Sequence, residues 1–570
     1  MQDYRKTKDM TLSSPFLKAR AAYLPRFPKV LDNPAALRVV KAGLPNFVAD
    51  AEQKAILKNL FSETFDQELL KLEASDSPVN TKKLTIGVVL SGGQAPGGHN
   101  VICGLFDALK LMNPDSKLIG FNSGPGGILA DKYIEISKEF IDEYRNTGGF
   151  DMLGSGRTKI ETAEQFTLCR KTLDKHRADA LVIIGGDDSN TNAALLANYF
   201  RSENSPIQII GVPKTIDGDL KNQYVETSFG FDTAVRLYSE LISNISRDAL
   251  SAKKYYHFIR LMGRSASHIT LEAAFQTQPN IVLIGEEIAQ KNMSLKDIVA
   301  QMAETVIERS KNGKHYGIVL VPEGIIEFIP EIQQLILELN DIIADHKEYF
   351  ESLDGFSHKS EWTNKKLSRD ASYTFSGLPI DIQREFLMER DPHGNIQVSL
   401  IETEKLLIEL LTDHLAELKT EGNYSGKFKT QGHFLGYEGR CAAPTNFDAD
   451  YAYSLGRTAV ALVSTGVTGY MATVKNLASD RNEWEAMGVP LVSMMNLEVR
   501  QGTHKPVIKK GLVALGGKPL AHLNTMRKQW AEQDSYRFAG SIQYFGPKDL
   551  CDRVPYTLAL EQNRTEECCW

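Results

Sequence analysis

Two short stretches of this chain set carboxylates beside glycines at the ends of apolar runs. The first is Leu181-Val182-Ile183-Ile184-Gly185-Gly186-Asp187-Asp188-Ser189-Asn190. A carboxylate presented there, Asp187 above all, suits Mg²⁺, which needs few protein oxygens when phosphates and water supply the rest. The same aspartates equally suit the amino end of a following helix as caps. Adjacent carboxylates repel one another, which favours a cation nearby, and on the residues alone both readings stand. The second stretch is Gly211-Val212-Pro213-Lys214-Thr215-Ile216-Asp217-Gly218-Asp219. Here Lys214 could neutralise a phosphoryl oxygen as a point charge while Asp217 accepts a proton from an attacking hydroxyl. A solvated polar loop accounts for the same residues.

A third segment, Ser91-Gly92-Gly93-Gln94-Ala95-Pro96-Gly97-Gly98-His99-Asn100, joins an apolar run to an expected helix. Glycines let a backbone approach an anion closely, and a helix amino terminus adds N–H groups and a favourable dipole end. That is the chemistry of a phosphate cradle, although a tight strand-to-helix turn has the same composition. The Lys-Ser/Thr of a Walker A loop is missing, and so is Gly-x-Gly-x-x-Gly, which disfavours a dinucleotide site.

The elements that would position these turns are legible as short apolar runs: Leu84–Leu90, Lys117–Phe121, Ala180–Ile184, Ile207–Val212, Tyr256–Met262, Ile281–Ile284 and Tyr316–Val321. Continuous runs alternating with helical stretches predict an α/β fold with parallel sheets covered on both faces. Ligands in such sheets collect at the carboxyl ends of strands, where all three turns fall. Before this region, residues 1–80 form an extension expected to be largely helical, with Ile56, Leu57, Leu60, Phe61, Phe65, Leu69 and Leu70 near a helical period. Residues 81–230 make a first α/β region carrying the donor chemistry, and 231–330 begin a second. Residues 331–430 read as a helical insertion, with Leu335, Ile336, Leu339, Ile342 and Ile343 on one face, Leu406, Leu407, Leu410, Leu411 and Leu415 on another, and a loop expected at Ser357–Ser368. From its position before Tyr437–Arg440, the insertion is expected to cover the active site or a dimer edge. Residues 431–570 supply the remainder and a C-terminal tail.

These motifs resemble the phosphofructokinase family, and more closely its long, pyrophosphate-dependent branch. The resemblance rests on Gly92–Gly97, Gly185–Asp188, Pro213–Asp219, Met262-Gly263-Arg264, Pro322-Glu323-Gly324 and Tyr437-Glu438-Gly439-Arg440, in family order. It implies two phosphofructokinase-type α/β domains with mostly parallel sheets flanked by helices, plus the extension and the insertion. It implies Mg²⁺ on Asp187 and Asp217 as base on the 1-hydroxyl of fructose 6-phosphate. Gly92, Gly93, Lys214 and Arg157 (in Gly154-Ser155-Gly156-Arg157) would bind pyrophosphate. Thr215, Ile216, Met262, Gly263, Arg264 and Glu323 would hold the sugar phosphate, with Tyr437, Glu438, Gly439 and Arg440 completing that pocket. Lys254 and Tyr255 match a segment that reaches the sugar phosphate of a neighbouring subunit, implying a homodimer or higher homo-oligomer.

Donor choice turns on two positions. ATP-using relatives carry glycine where this chain has Asp188 and Lys214. A carboxylate at Asp188 would repel an ATP α-phosphate, and Lys214 would stabilise charge on the transferred group. The alternatives are an ATP-dependent phosphofructokinase, a NAD kinase-like or lipid kinase-like enzyme, and a non-catalytic regulatory paralogue. The retained Asp187, Asp217 and Asp219 speak against the last of these. His99, His257 and His268 lie near motifs and are read as structural.

Composition agrees with a cytoplasmic enzyme. A net charge of −7 over 570 residues provides no field for nucleic acid or anionic membrane. No long apolar run suggests a membrane span, and the amino end, Met1–Lys6, does not read as a secretory signal. The six cysteines are scattered without metal-ligand spacing, and the Cys568-Cys569 pair reads as incidental to function.

Overall fold

The computed structural model describes residues 14–75, 81–388, 396–500 and 503–564. Residues Met1–Lys6 and the Cys568-Cys569 pair lie outside them. The chain divides into two compact units. The first comprises Met1–Ala234, Tyr437–Gly511 and Ile542–Trp570, the second Val235–Gly436 and Leu512–Ser541.

In chain order the strands are β1 (Leu37–Lys41), β2 (Leu70–Ala74), β3 (Thr85–Leu90), β4 (Lys117–Phe121), β5 (Tyr133–Glu135), β6 (Ala180–Gly185) and β7 (Gln208–Pro213). They continue as β8 (Tyr256–Leu261), β9 (Ile281–Val282), β10 (Gly317–Pro322), β11 (Thr430–Leu435), β12 (Tyr470–Lys475), β13 (Glu485–Pro490), β14 (Met495–Arg500) and β15 (Thr503–Ile508).

In the first unit one sheet runs β1-β2-β13-β12-β7-β6-β3-β4-β5. Its centre, from β12 through β4, is parallel, and antiparallel strands close both edges. Every residue of β6 is buried, as expected of a strand covered on both faces. Two buried helices, Gly98–Met112 and Asn446–Ser464, pack with their backbones in close approach. A β-carbon on Gly104 would lie 2.2 Å from the Tyr453 carbonyl oxygen, and one on Gly456 2.1 Å from that of Val101. Glycine is required at both crossings.

The second unit holds a parallel sheet ordered β11-β8-β10-β9. The helices between residues 330 and 420 share its core: Leu335, Leu339, Ile343, Phe375, Leu407 and Leu411 are buried in one cluster with Phe258, Val319 and Val321. The buried guanidinium of Arg260, on β8, pairs with buried Glu404 at 2.7 Å and donates to the Ile401 carbonyl at 3.0 Å. These helices and the sheet are therefore one folding unit.

Two local expectations differ from the structure. The apolar period over residues 56–70 predicts a single helix, but the helix Ala51–Leu60 ends at Phe61 and Leu70 opens β2. Pairing of Lys71 with Met487 of β13 draws this segment into the sheet, and tertiary pairing overrides local propensity. The polar stretch Ser357–Ser368, expected as a loop, lies mostly in the helix Gly355–Lys366. Thr363 is buried, Trp362 packs against the Phe350 ring at 5.8 Å, and Glu361 and Lys365 pair one turn apart. A few apolar anchors sufficed where polarity suggested a loop.

Candidate active site

In the first unit the three glycine-bearing turns leave the carboxyl ends of the adjacent parallel strands β3, β6 and β7. Their backbones are tied together. The Ser91 N–H donates to the Ile184 carbonyl at 2.8 Å, and the Lys214 N–H to that of Gly185 at 2.9 Å. Buried Asn190 locks the β6 turn, its amide donating to the carbonyls of Gly185 and Gly186 at 2.7 and 2.9 Å. Gly211 makes room for that amide, since a β-carbon there would lie 2.1 Å from Asn190 Oδ1.

Lys214 is 6% exposed, an unusual place for an ammonium. Burial pulls its pKa down to about 8, the Asp217 carboxylate opposing and the Arg440 charge adding to the fall. Gly92, at φ +83°, faces it: a β-carbon there would sit 3.4 Å from Lys214 Nζ. Gly93 faces the Arg440 guanidinium in the same way, also at 3.4 Å. Arg440 Nε is buried without a hydrogen bond, and its guanidinium lies 4.9 Å from the centre of the Tyr437 ring. A charged donor left unpaired in a glycine-lined recess suits an anion.

The carboxylates gather around these cations. Asp187 and Asp188 open the helix Asp187–Ser202, but neither caps it; Gly186 holds the cap position without a side-chain hydrogen bond. Burial pushes the Asp187 pKa up, with Asp188 and Asp219 adding repulsion and Lys510 opposing. Lys510 Nζ stands 3.7 Å from Asp187 and 3.9 Å from Asp219. Lys159 Nζ donates to Asp188 at 3.2 Å. The Asp217 N–H donates to Thr215 Oγ1 at 3.1 Å, and that hydroxyl donates to Asp219 at 3.2 Å. Asp219 is buried and its pKa is raised, first by burial and then by Asp217. Ile216, between Thr215 and Asp217, is buried. Among the described residues no three His, Cys, Asp or Glu side chains gather closely enough to hold a metal by themselves, so a hard divalent cation on the Asp187 carboxylate would draw the rest of its oxygens from phosphate and water, as Mg²⁺ does.

Arg157 is exposed, and its neighbour Gly156 accepts from the Gly92 N–H at 3.0 Å, so this loop edges the glycine turn. Glu438 is exposed and Gly439 buried in the turn Tyr437–Arg440.

In the second unit, Met262-Gly263-Arg264 leaves the end of β8 and Glu323-Gly324 the end of its neighbour β10. The Gly263 N–H donates to Glu323 Oε2 at 3.0 Å, and Glu323 is 1% exposed. Gly324 is sterically obligatory, since a β-carbon there would lie 1.7 Å from the Arg264 carbonyl oxygen. Arg264 is exposed at this rim while Met262 is buried. Lys254 is exposed and Tyr255 half-buried, the ammonium 5.0 Å from its neighbour's ring centre.

Residues 85–463 match the family profile described as Phosphofructokinase. The chain belongs to the phosphofructokinase family. It is 51% identical over 545 residues to the pyrophosphate--fructose 6-phosphate 1-phosphotransferase of Porphyromonas gingivalis, covering 96% of this chain and 98% of that protein. The protein of the same name from Treponema pallidum (strain Nichols) is 51% identical over 552 residues, covering 95% and 96%. The solved pyrophosphate-dependent phosphofructokinase of Marinobacter aquaeolei superposes with a TM-score of 0.52 at 17% identity, over 80% of this chain and 93% of that one. That likeness shows the shared fold.

Family motifs did not point to Lys510 or Lys159. Each is an ordinary lysine in sequence, and Lys510 reaches the cluster from the strand hairpin β14–β15, far along the chain. The strand before it, Thr503–Ile508, carries Thr503, His504 and Lys505, so no continuous apolar run marked Lys510 as one marked Lys214. The histidines are structural in their contacts. His99 is buried, with Nδ1 2.8 Å from Thr147 Oγ1, and Nε2 accepts from the Met152 N–H at 3.3 Å. His257 Nδ1 meets His433 Nε2 at 3.0 Å. His268 begins the helix His268–Thr277.

Proposed function

We propose that the chain transfers a phosphoryl group reversibly from Mg²⁺-pyrophosphate to the 1-hydroxyl of fructose 6-phosphate, giving fructose 1,6-bisphosphate and phosphate. The observation that carries the donor assignment is the buried Lys214 ammonium, set against Gly92 with Asp217 and Arg440 around it. An ammonium buried there stabilises negative charge on a transferred phosphoryl far better than an exposed one. The names of the two relatives agree with this reading.

Asp187 would hold Mg²⁺, whose chemistry is to neutralise charge on the donor phosphates. Gly92, Gly93 and Arg157 border the donor, and the Gly92 and Gly93 backbones leave room for phosphate oxygens beside Lys214 and Arg440. Asp217 removes the hydroxyl proton; it is half-buried, and its backbone is set by the Thr215 hydroxyl. Positioning and electrostatics supply most of the rate. Arg264, Glu323, Met262 and Gly263 are assigned to the sugar phosphate; Arg264 is exposed, and Glu323 accepts from the Gly263 N–H. Asp188, paired with Lys159, keeps a carboxylate where a nucleotide α-phosphate would need space.

The working form is a homodimer or higher homo-oligomer, with exposed Lys254 and Tyr255 reaching the sugar phosphate of a second copy. The compartment is the cytoplasm, in keeping with the free thiols of Cys103, Cys169, Cys441 and Cys551. An aldolase-coupled assay with pyrophosphate and with ATP tests the donor, repeated on Asp188→Gly/Lys214→Gly. Turnover with pyrophosphate alone, lost in the double variant, is expected; equal turnover with ATP in the wild type overturns the reading.

A further inference from the structure

Lys510 is held in place from both sides. Before it, the Ile508 N–H donates to buried Thr191 Oγ1 at 2.9 Å, on the helix that Asp187 opens. The Lys509 N–H donates to the Met494 carbonyl at 2.9 Å. After it, the Gly511 N–H donates to the Asp219 carbonyl at 2.6 Å. A β-carbon on Gly511 would lie 2.4 Å from the Lys221 carbonyl oxygen, so only glycine permits this approach. The backbone around Lys510 is thus tied to the two turns whose carboxylates its ammonium faces. That construction differs from a surface lysine finding a chance partner.

The ammonium faces both carboxylates. Its distances to Asp187 and Asp219, 3.7 and 3.9 Å, are within ion-pair range and beyond a normal hydrogen bond. A cation placed between two carboxylates at that separation lowers their mutual repulsion without saturating their oxygens, and it stands where a divalent ion on Asp187 would compete with it.

We infer that Lys510 is a positioning residue of the donor site, holding Asp187 and Asp219 in the metal-free chain and turning to the pyrophosphate when a divalent cation takes Asp187. Its ammonium then adds to Lys214 and Arg440 against the donor's negative charge. The inference rests on the proposed reading of Asp187 and extends it to a residue outside the family motifs.

The test uses the full chain, with two readouts. One is the Mg²⁺ concentration at the midpoint of its thermal-shift response without pyrophosphate. The other is the KM for pyrophosphate beside that for fructose 6-phosphate. For Lys510→Met, the Mg²⁺ midpoint is expected to fall about tenfold, because a competitor is gone, while KM for pyrophosphate rises about tenfold. KM for fructose 6-phosphate should stay within about twofold, and Lys510→Arg should restore both altered values. An unchanged Mg²⁺ midpoint with unchanged pyrophosphate KM overturns the inference. So does a lowered Tm with all kinetic constants falling together, the mark of a purely structural ion pair. Should the Met variant fail to fold, Lys510→Gln is read by the same criteria. Asp187→Asn separates the two levels: a persistent Mg²⁺ shift in that variant refutes the Asp187 reading itself, whereas its loss beside an unaltered Lys510→Met refutes only the role of Lys510.

Discussion

The Lys214 ammonium lies directly against the backbone of Gly92, 3.4 Å from where a β-carbon on that glycine would stand. Gly92 also sits at φ +83°, a conformation costly for other residues. Gly92→Ala is therefore expected to displace the turn and narrow the space beside Lys214. Steady-state kinetics should show a loss of about 10- to 100-fold in kcat/KM for pyrophosphate, with KM for fructose 6-phosphate little changed. Wild-type kinetics in this variant would refute the donor role of the turn.

Burial lowers the Lys214 pKa to about 8, and the sign of the consequence follows from linkage. The folded chain binds fewer protons at this site than the unfolded chain between that pH and the normal lysine range near 10.4. The destabilisation from burying the charge is complete below pH 8 and fades as pH rises toward 10. Lys214→Met should accordingly raise stability at pH 7 and lose most of that advantage by pH 10, a change of roughly 2–4 kcal/mol. Paired unfolding curves at the two pH values measure it. Turnover with pyrophosphate should be severely reduced at both.

Asp217 is assigned the hydroxyl proton. Asp217→Asn is nearly isosteric and keeps the backbone bond to Thr215, so the fold and donor binding should persist while kcat falls about 10²- to 10⁴-fold. Thermal shift by pyrophosphate and Mg²⁺ should match the wild type. A variant close to wild type in rate would remove Asp217 from the mechanism.

The buried pair of Arg260 and Glu404 joins β8 to the helix Thr403–Thr420. Glu404→Leu leaves the buried Arg260 without its counter-charge, its bonds to the Ser399 and Ile401 carbonyls remaining, at an expected cost of about 3–5 kcal/mol. Arg260 lies two residues before Met262, so KM for fructose 6-phosphate should rise in the same variant. Denaturant unfolding measures the first effect and kinetics the second; a neutral substitution would show that the helices contribute little to that strand end.

Much of the site was legible because its chemistry sits in short, contiguous turns. Gly92, Asp187, Lys214 and Asp217 each follow a short continuous apolar run, and such runs alternating with helices read as buried strands of a parallel sheet, whose carboxyl ends gather ligands. Strands β3, β4, β6 and β7 of one sheet and β8, β9 and β10 of the other were visible for the same reason, whereas β1, β2, β5, β11, β12 and β13 were not read as apolar runs. What escaped were features decided by partners distant in the chain. Leu70 continues a helical period in sequence, yet it enters a strand because β13 offers it an edge. Ser357–Ser368 is polar, yet Phe356 and Trp362 find a core and pull it into a helix.

By itself the sequence determined the α/β class, the strand-end glycines and the carboxylates and lysine that could do phosphoryl chemistry. Those are local properties: burial period, backbone freedom and charge are written residue by residue. The tertiary structure alone decided that Lys214 is buried, that Arg440 lies over Gly93, that Lys159 answers Asp188, and that Lys510 arrives from the β14–β15 hairpin between Asp187 and Asp219. Electrostatic pairing depends on distance in space, and no spacing along the chain encodes which distant cation a buried carboxylate will meet.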